Sequence, residues 1–165
     1  MDRSMRVWNI PTGQCLAMAQ FPTPCTSLAL HPSEDSVFVG GSDGDVYAVD
    51  LVAPVPSASG TPALAAANRY VGHTGAVLSL SLSFDGSMLV SSSRDGTAKV
   101  WDCASGQALK TFTGHTKGPV SCVRGMMRPP NLLDGPAQLQ TKAQTISYFA
   151  DTASRRDLFA ISDFP

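Results

Sequence analysis

The chain has 165 residues and a net charge of −1 at pH 7, which is typical of one domain of roughly 100–200 residues and gives no electrostatic reason to expect binding to nucleic acid or to a membrane surface. Charged residues make up only 15%, against about 25% in soluble domains, so part of the surface is expected to meet a neighbour. No apolar run approaches the roughly 18 residues of a membrane span, and the start, "MDRSMRVWNI", has no apolar core of a secretory signal.

The first predicted elements form an incomplete copy of a repeat. The stretch "DRSMRVWNIPTGQCL" near the N-terminus matches "DGTAKVWDCASGQAL" 93 residues later at Asp, Val, Trp, Gly, Gln and Leu. Both stretches place Val-Trp in a β-prone run that ends at a turn containing Gly. The chain is therefore expected to begin inside a repeat unit, with the first part of that unit missing.

A second copy follows in the chain. Residues 27–50 align without gaps on residues 79–102, at an offset of 52. The Gly-His pairs at 72–73 and 114–115 are 42 apart, so the underlying period is 41–42 and one copy carries about ten extra residues. Those residues lie in segment 53–67, which contains Pro54, Pro56 and Pro62, and we predict a flexible surface excursion there.

The third copy has the clearest strand pattern. Short apolar and β-branched runs alternate with turn formers, as successive hairpins require, and no stretch before residue 130 has helical periodicity. The predicted strands, named a to d in chain order, are 77–83, 88–92, 97–101 and 108–113.

Beyond the third copy the pattern fades. A further strand a is predicted at 118–123, and "DLFAIS" at 157–162 is a candidate strand. We divide the chain into a repeat segment, 1–124, and a non-repeat tail, 125–165.

A period of about 40–45 residues with Gly-His and Trp-Asp resembles the WD-repeat family, whose repeats are four-stranded blades of a β-propeller. The resemblance implies an all-β fold: a partial propeller of about two complete blades plus half-blades, covering roughly 24–71 and 77–113. It also implies a structural hydrogen-bond network that links the polar residues of one blade. Its members here are His73, Ser91, Asp95 and Trp101.

The same residue types could belong to a hydrolase, which is the alternative for Ser91, His73 and Asp95. Ser91 lies mid-strand and has no G-x-S-x-G turn around it, so the structural interpretation is preferred and no catalytic residue is assigned. The middle copy has Val39 and Val49 where Ser91 and Trp101 stand, so its blade is expected to lack this network. His31, before Pro32 at the end of a strand, is expected to be a solvated turn residue.

No metal site or cofactor is predicted. The cysteines form no CxxC pair and have no zinc-finger spacing, so they are expected to be free thiols in a reducing compartment. They are Cys15, Cys25, Cys103 and Cys122.

The order of features narrows the resemblance. The chain is similar to the WD-repeat subunit of the rixosome in the order of four features. These are a degenerate blade ending "VYAVD", the insertion after it, a strong repeat ending "KVWD", and "GPVSCV" before a non-repeat C-terminus. That resemblance implies a non-catalytic nuclear scaffold in rRNA processing and large ribosomal subunit biogenesis, with ties to DNA replication. The partners it implies are a large helical-repeat subunit and pre-ribosomal particles, with no membrane and no direct contact to nucleic acid.

Another WD-repeat adaptor, such as a ubiquitin-ligase substrate receptor or a signalling scaffold, remains the alternative, with the cytoplasm as the alternative location. In either case a partner is expected on the ring face that carries the b–c and d–a turns, because function concentrates on such loops. The candidate residues of this face are Ser42, Thr74, Arg94 and Lys117.

Overall fold

The computed structural model describes residues 2–52, 62–114, 118–127 and 157–162, in which all regular secondary structure is β-strand. The all-β prediction is thus confirmed for these residues, and no helix among them is long and apolar enough to cross a membrane. The strands are β1 (Ser4–Asn9), β2 (Gln14–Gln20), β3 (Cys25–Leu30), β4 (Ser36–Gly41), β5 (Val46–Asp50), β6 (Ala66–Tyr70), β7 (Val77–Leu82), β8 (Met88–Ser93), β9 (Ala98–Asp102), β10 (Ala108–Phe112), β11 (Cys122–Met127) and β12 (Asp157–Ser162).

Two antiparallel four-stranded sheets form the centre of the described structure. One runs β3-β4-β5-β6 and the other β7-β8-β9-β10, so each strand pairs with the next one along the chain. This is the order that successive hairpins produce, and the two sheets coincide with the repeats predicted at 24–71 and 77–113. We call them the first and the second complete blade, with strands a to d in chain order.

The core lies between neighbouring sheets, which pack face to face. Strands β8 and β9 pair Leu89 with Trp101, and both side chains point toward the first complete blade, where they join a cluster with Phe38 and Tyr70. The rings of Phe38, Tyr70 and Trp101 stack edge to face, with centroids 5.9 Å apart at each step. Such aromatic pairs add about 0.5–1.5 kcal/mol beyond the area they bury.

Side-chain hydroxyls join the a strands of neighbouring blades. Thr26 of β3 donates its hydroxyl hydrogen to the carbonyl oxygen of Val77 at the start of β7. Ser81 of β7 accepts a hydrogen bond of 2.8 Å from the N–H of Gly125 in β11. No backbone ladder pairs these strands in the described structure, so hydroxyl groups supply the polar contacts between them.

The N-terminal hairpin β1–β2 is an incomplete blade, as predicted, and it receives an additional segment of chain. Met18 of β2 donates its N–H to Pro62 O (3.0 Å) and accepts from the N–H of Leu64 (2.8 Å). Leu64 is 6% exposed and belongs to the core between β1–β2 and the first complete blade. The prediction of a surface excursion over 53–67 is therefore wrong for its C-terminal end, because Leu64 gains burial there; residues 53–61 lie outside the described residues.

The C-terminal strands differ in position from their predictions. Strand β11 begins at Cys122 rather than at 118, and it continues past the predicted boundary at 124 to Met127. It pairs antiparallel with β12 (Asp157–Ser162), which confirms the candidate strand in the tail. The remainder of the predicted tail, 128–156 and 163–165, lies outside the described residues.

Candidate functional site

The b–c turn of the second complete blade is the centre of a buried polar cluster. Strand β8 places Ser91 in the middle of the sheet with no solvent exposure, and β9 brings Trp101, 1% exposed, onto the same side. His73 lies in the connection before β7, and its side chain is fully buried. Asp95 lies in the turn between β8 and β9, so two strands and two connections meet here.

The hydrogen bonds run in one direction through this cluster. Trp101 Nε1 donates to Ser91 Oγ at 2.8 Å, and Ser91 Oγ lies 2.7 Å from His73 Nε2. Because the indole N–H can only donate, Ser91 Oγ accepts that hydrogen bond. The serine hydroxyl therefore donates its own hydrogen bond to His73 Nε2. His73 then carries its proton on Nδ1 and donates it to Asp95 Oδ2, 3.1 Å away. This tautomer is assigned from the network.

Asp95 is stabilised as a carboxylate. Its Oδ1 accepts from the N–H and the hydroxyl of Thr97 at 2.8 and 2.6 Å, and its Oδ2 accepts from the N–H of Thr74 at 2.9 Å. Burial raises the pKa of Asp95, but the bonds from Thr97 and Thr74 outweigh it, so the pKa lies well below the usual 3.8. The turn therefore holds a fixed negative charge.

His73 is held neutral. Burial lowers the pKa of His73 below its usual 6.5, and this effect exceeds the opposing influence of the Asp95 carboxylate. A neutral imidazole with one donor and one acceptor nitrogen matches the two partners it has, Asp95 and Ser91. The cluster is satisfied as built, and a satisfied buried network fixes the geometry of the strands that carry it.

The same geometry works against the hydrolase alternative. Ser91 has no exposed surface, and its hydroxyl is engaged by both Trp101 and His73, so no substrate carbonyl can approach Oγ without displacing strand β8 or β9. A nucleophilic serine needs an open cleft and an oxyanion site beside it. The arrangement binds strands together rather than activating a nucleophile.

The comparisons with known proteins agree with this geometry. Residues 66–102, which span strand d of the first complete blade and strands a to c of the second, match the family profile "WD domain, G-beta repeat". The same family is named in a relative, "WD repeat-containing protein 18" of Mus musculus, which is 35% identical across 81% of the chain. The chain belongs to the WD-repeat family.

Relatives of this WD-repeat chain include one named for WD repeats and one named for pre-rRNA processing. It is 35% identical over 136 residues to "WD repeat-containing protein 18" of Mus musculus, a match that covers 81% of the chain and 31% of the relative. It is 33% identical over 122 residues to "Pre-rRNA-processing protein IPI3" of Yarrowia lipolytica, covering 67% of the chain and 28% of the relative. The chain thus spans less than a third of the length of these curated relatives.

A solved structure has the same fold. The WD40 repeats of RRP9 superpose on the WD-repeat chain with a TM-score of 0.51 and 26% sequence identity, covering 63% of this chain and 30% of that one. The partial propeller predicted from the sequence is therefore confirmed.

Thr97 is a member of the network that the sequence reasoning missed. Its hydroxyl donates to Asp95 and lies 3.0 Å from His73 Nδ1, so it contacts both partners of the His73–Asp95 hydrogen bond. The signal was a threonine two residues after an aspartate in a tight turn, where a carboxylate commonly accepts from the backbone two residues on.

The first complete blade has a different polar set at the equivalent turn. Val39 and Val49 are fully buried there, as the WD-repeat alignment implied, but Tyr47 donates its hydroxyl to Asp43 Oδ2 at 2.6 Å. Arg69 forms an ion pair with Asp45, whose side chain is 5% exposed, and its Nε donates to Oδ2 at 2.6 Å. The sequence predicted that this blade would lack the hydrogen-bond network of the second blade. It did not predict the contacts of Tyr47 with Asp43 and of Arg69 with Asp45.

The face with the b–c and d–a turns brings three of the four predicted partner residues together. Thr74 bonds to Asp95, beside Arg94, and both Thr74 and Arg94 are exposed, whereas Ser42 is half-buried. Gly44, in the same turn as Ser42, has φ +96°, and a Cβ there would lie 2.5 Å from His73 O. The turns of the two complete blades therefore touch around residue 73. Lys117 lies outside the described residues.

His31 differs from its prediction. Its Nε2 lies 3.2 Å from the carbonyl oxygen of Gly86, in the a–b turn of the next blade, and its ring stacks at 6.5 Å from Phe38. The expected solvated residue is thus a contact between blades, because the two a–b turns converge on the ring face opposite Thr74. Among the described residues, no three His, Cys, Asp or Glu side chains come close enough to hold a metal ion.

Proposed function

We propose that the protein is a non-catalytic WD-repeat scaffold of a nuclear complex in rRNA processing and large ribosomal subunit biogenesis. The observation that carries the proposal is the 35% identity to WD repeat-containing protein 18 across 81% of the chain. The match to a protein named for pre-rRNA processing supports it independently.

The chemistry of the described residues supports a scaffold role over an enzymatic one. The densest group of polar side chains, around His73 and Asp95, forms hydrogen bonds that fix the b–c turn of the second complete blade. This leaves exposed groups such as Thr74 and Arg94 at the surface of a rigid frame. Rigid scaffolds that present polar loop tips are suited to binding other proteins. No cofactor is assigned.

The partners proposed are a large helical-repeat subunit and pre-ribosomal particles, in the nucleolus and nucleoplasm, with DNA replication as a linked process. The proposed contact face is the one that carries Ser42, Thr74 and Arg94, together with Lys117. The turns that carry Ser42 and Arg94 also carry Asp43 and Asp95, so the face is not strongly basic, which favours a protein partner over direct contact with nucleic acid.

The test is affinity purification of the tagged chain from nuclear extract, followed by mass spectrometry and hybridisation for precursors that contain the second internal transcribed spacer. We expect enrichment of those precursors and of one large helical-repeat protein. Arg94→Glu should reduce both, whereas Glu34→Lys, a charge reversal at an exposed a–b turn on the opposite face, should leave both unchanged.

Two results would contradict the proposal. Recovery of a ubiquitin ligase or a signalling complex in place of ribosomal precursors would favour the other WD-repeat adaptors. Labelling of Ser91 by a fluorophosphonate probe, absent in Ser91→Ala, would favour the hydrolase.

A further inference from the structure

An extended segment of the chain, residues 62–64, docks on the outer strand of the incomplete blade. It runs parallel to β2 and is bridged to Met18. Pro62 accepts a hydrogen bond from the N–H of Met18, and Leu64 donates one to its carbonyl oxygen. Leu64 is 6% exposed in the gap between β1–β2 and the first complete blade. Two backbone hydrogen bonds and one apolar anchor thus hold a segment on strand d.

The first complete blade repeats this arrangement of strands. Trp8 and Val49 occupy equivalent positions, because both align with Trp101. In each hairpin, one residue of strand d pairs with the residue two positions before that site. This residue is Met18 in β2 and Arg69 in β6. Arg69 is therefore the position of β6 at which an equivalent segment would pair.

The backbone of Arg69 faces outward. Gly41 donates its N–H to the carbonyl oxygen of Asp45, and every second pair of an antiparallel ladder is of this hydrogen-bonded type. Tyr47 therefore bonds to Val39 on β4. Arg69, which pairs with Tyr47 from the other side, then directs its N–H and C=O away from β5. No strand pairs with that edge of β6 in the described part of the chain.

A cavity of about 330 Å³ opens beside this edge, between the two complete blades. Its wall includes Asn68 and Tyr70 of β6 and, from the second complete blade, Cys103. Cys103 lies 52 residues after Leu51, and Leu51 packs against the cluster that contains Leu64. The gap that Leu64 fills beside β2 thus recurs beside β6 as a cavity.

The rim of the cavity is acidic. The charged residues that line it are Asp35 and Asp50, both exposed, and Asp35 lies 3.5 Å from the ring of His31. They lie where β6 begins, because Val49, next to Asp50, pairs with Ala66. A segment parallel to β6 therefore passes these carboxylates before it reaches the cavity. Since side chains alternate along an extended segment, a basic residue two or four positions before the apolar anchor lies on the same face.

The next blade differs at the corresponding positions. Asp35 is replaced by Ser87, 52 residues later. Lys110 stands on β10 where Asn68 stands on β6, by the register of the two hairpins. The groove beside β10 thus has one carboxylate fewer and an added ammonium group, which disfavours a basic segment. The acidic rim distinguishes the groove beside β6.

We propose that the groove between β6 and the second complete blade binds an extended segment of a partner protein. In this segment a leucine-sized apolar residue follows a lysine or arginine by two or four positions. The segment adds to β6 in parallel through the N–H and C=O of Arg69, and its apolar side chain enters the cavity beside Tyr70 and Cys103. The site is separate from the face with the b–c and d–a turns and does not depend on the function proposed above.

The test is fluorescence polarisation of a labelled peptide with the full 165-residue chain. The probe is SGTPALAA, the sequence of residues 59–66, with Gly60→Arg, which places arginine four positions before leucine. We expect binding that Leu64→Ala in the peptide weakens about tenfold or more, since it removes the buried anchor. Asp35→Asn with Asp50→Asn in the protein should weaken binding about fivefold at low ionic strength.

Two matched variants locate the binding site. Asn68→Phe places a ring across the groove beside β6 and should abolish binding. Lys110→Phe makes the same change at the equivalent position of β10 and should leave binding unchanged. Binding that persists in Asn68→Phe would overturn the proposal and assign the peptide to the edge of β2, in exchange with residues 62–64. Absence of binding to the wild-type chain would also overturn it.

Thiol labelling provides a readout that needs no variant of the protein. Saturating peptide should slow the reaction of Cys103 with N-ethylmaleimide, followed by mass spectrometry, and leave Cys122 unchanged as the internal control. An unchanged rate at Cys103 would contradict the proposal. So would a Cys103 that is protected without peptide and reacts only when residues 53–61 are replaced by a glycine–serine segment of equal length. That result would assign the cavity to the chain's own insertion.

Discussion

The buried hydroxyl of Ser91 connects Trp101 Nε1 and His73 Nε2, and neither nitrogen has another hydrogen-bond partner among the described residues. Ser91→Ala would leave Trp101 Nε1 without its acceptor at 2.8 Å and His73 Nε2 without the hydroxyl at 2.7 Å. Each buried polar group left unpaired costs about 1–3 kcal/mol. Because both groups are fully enclosed, we expect Ser91→Ala to lower the free energy of unfolding by about 2–5 kcal/mol.

The neighbouring residue offers a matched control. Ser92 is in the same strand and is also fully buried, but its hydroxyl has no hydrogen-bond partner among the described residues. Ser92→Ala removes a polar atom that gains nothing from burial, so it should change the free energy of unfolding by less than about 0.5 kcal/mol or increase it.

The assay is urea unfolding followed by far-ultraviolet circular dichroism at one protein concentration. A double-mutant cycle with Trp101→Phe should give a coupling of about 1–3 kcal/mol, since the phenyl ring has no N–H for Ser91 to accept. Equal effects of Ser91→Ala and Ser92→Ala, or strict additivity in the cycle, would refute the reasoning that Ser91 joins the network.

Three further predictions follow from the turns around it. Stability should fall on acidification, because the folded pKa of His73 lies below 6.5 and that of Asp95 lies below 3.8, so the unfolded chain binds protons first. The urea midpoint should drop as the pH falls below about 6.5 and again below about 4; a flat profile would contradict this. Gly44→Ala should destabilise the fold by about 1–3 kcal/mol, because Gly44 has φ +96° and lies close to the His73 carbonyl. The control Gly13→Ala, at φ +68° with open space around it, should destabilise the fold by about 1 kcal/mol. Equal losses of stability in thermal melts would argue against the contact between Gly44 and His73. Arg69→Met should lower the melting temperature, because it leaves the buried Asp45 carboxylate without its ion pair, and Arg69→Lys should recover part of the loss in the same melts.

The strands of the complete blades could be predicted because their signal is local and repeated. A hairpin is encoded by an apolar run, a turn former and a second apolar run, and the same arrangement returns 52 residues later at Ser27 and Ser79. The resemblance to the WD-repeat family likewise named His73, Ser91, Asp95 and Trp101 as one network, and the structure brings these side chains together.

The sequence could not predict contacts whose residues do not recur at the same spacing in each repeat. Arg69 reaches Asp45 from strand d, and His31 reaches Gly86 from another blade; neither pair recurs in the other repeats. The pairing of Met18 with residues 62–64 depends on where a proline-rich insertion returns to the sheet, and composition alone suggested only that it would leave. Such contacts depend on the angle between blades, which no single repeat encodes.

The hydroxyl bonds between the a strands have a consequence for how such a chain can change during evolution. The strand-to-strand backbone ladders lie within each blade's own hairpins, whereas adjacent a strands meet through single groups such as Thr26 and Ser81. A hydroxyl rotates about its C–O bond and can donate or accept, so it tolerates small changes in the angle between blades. Duplication or loss of a whole repeat therefore requires no new backbone register, only a serine or threonine facing the next strand. The first complete blade is an example of that tolerance: it contacts Val77 through Thr26, although it has Val39 and Val49 where the second blade has the serine and tryptophan of the network.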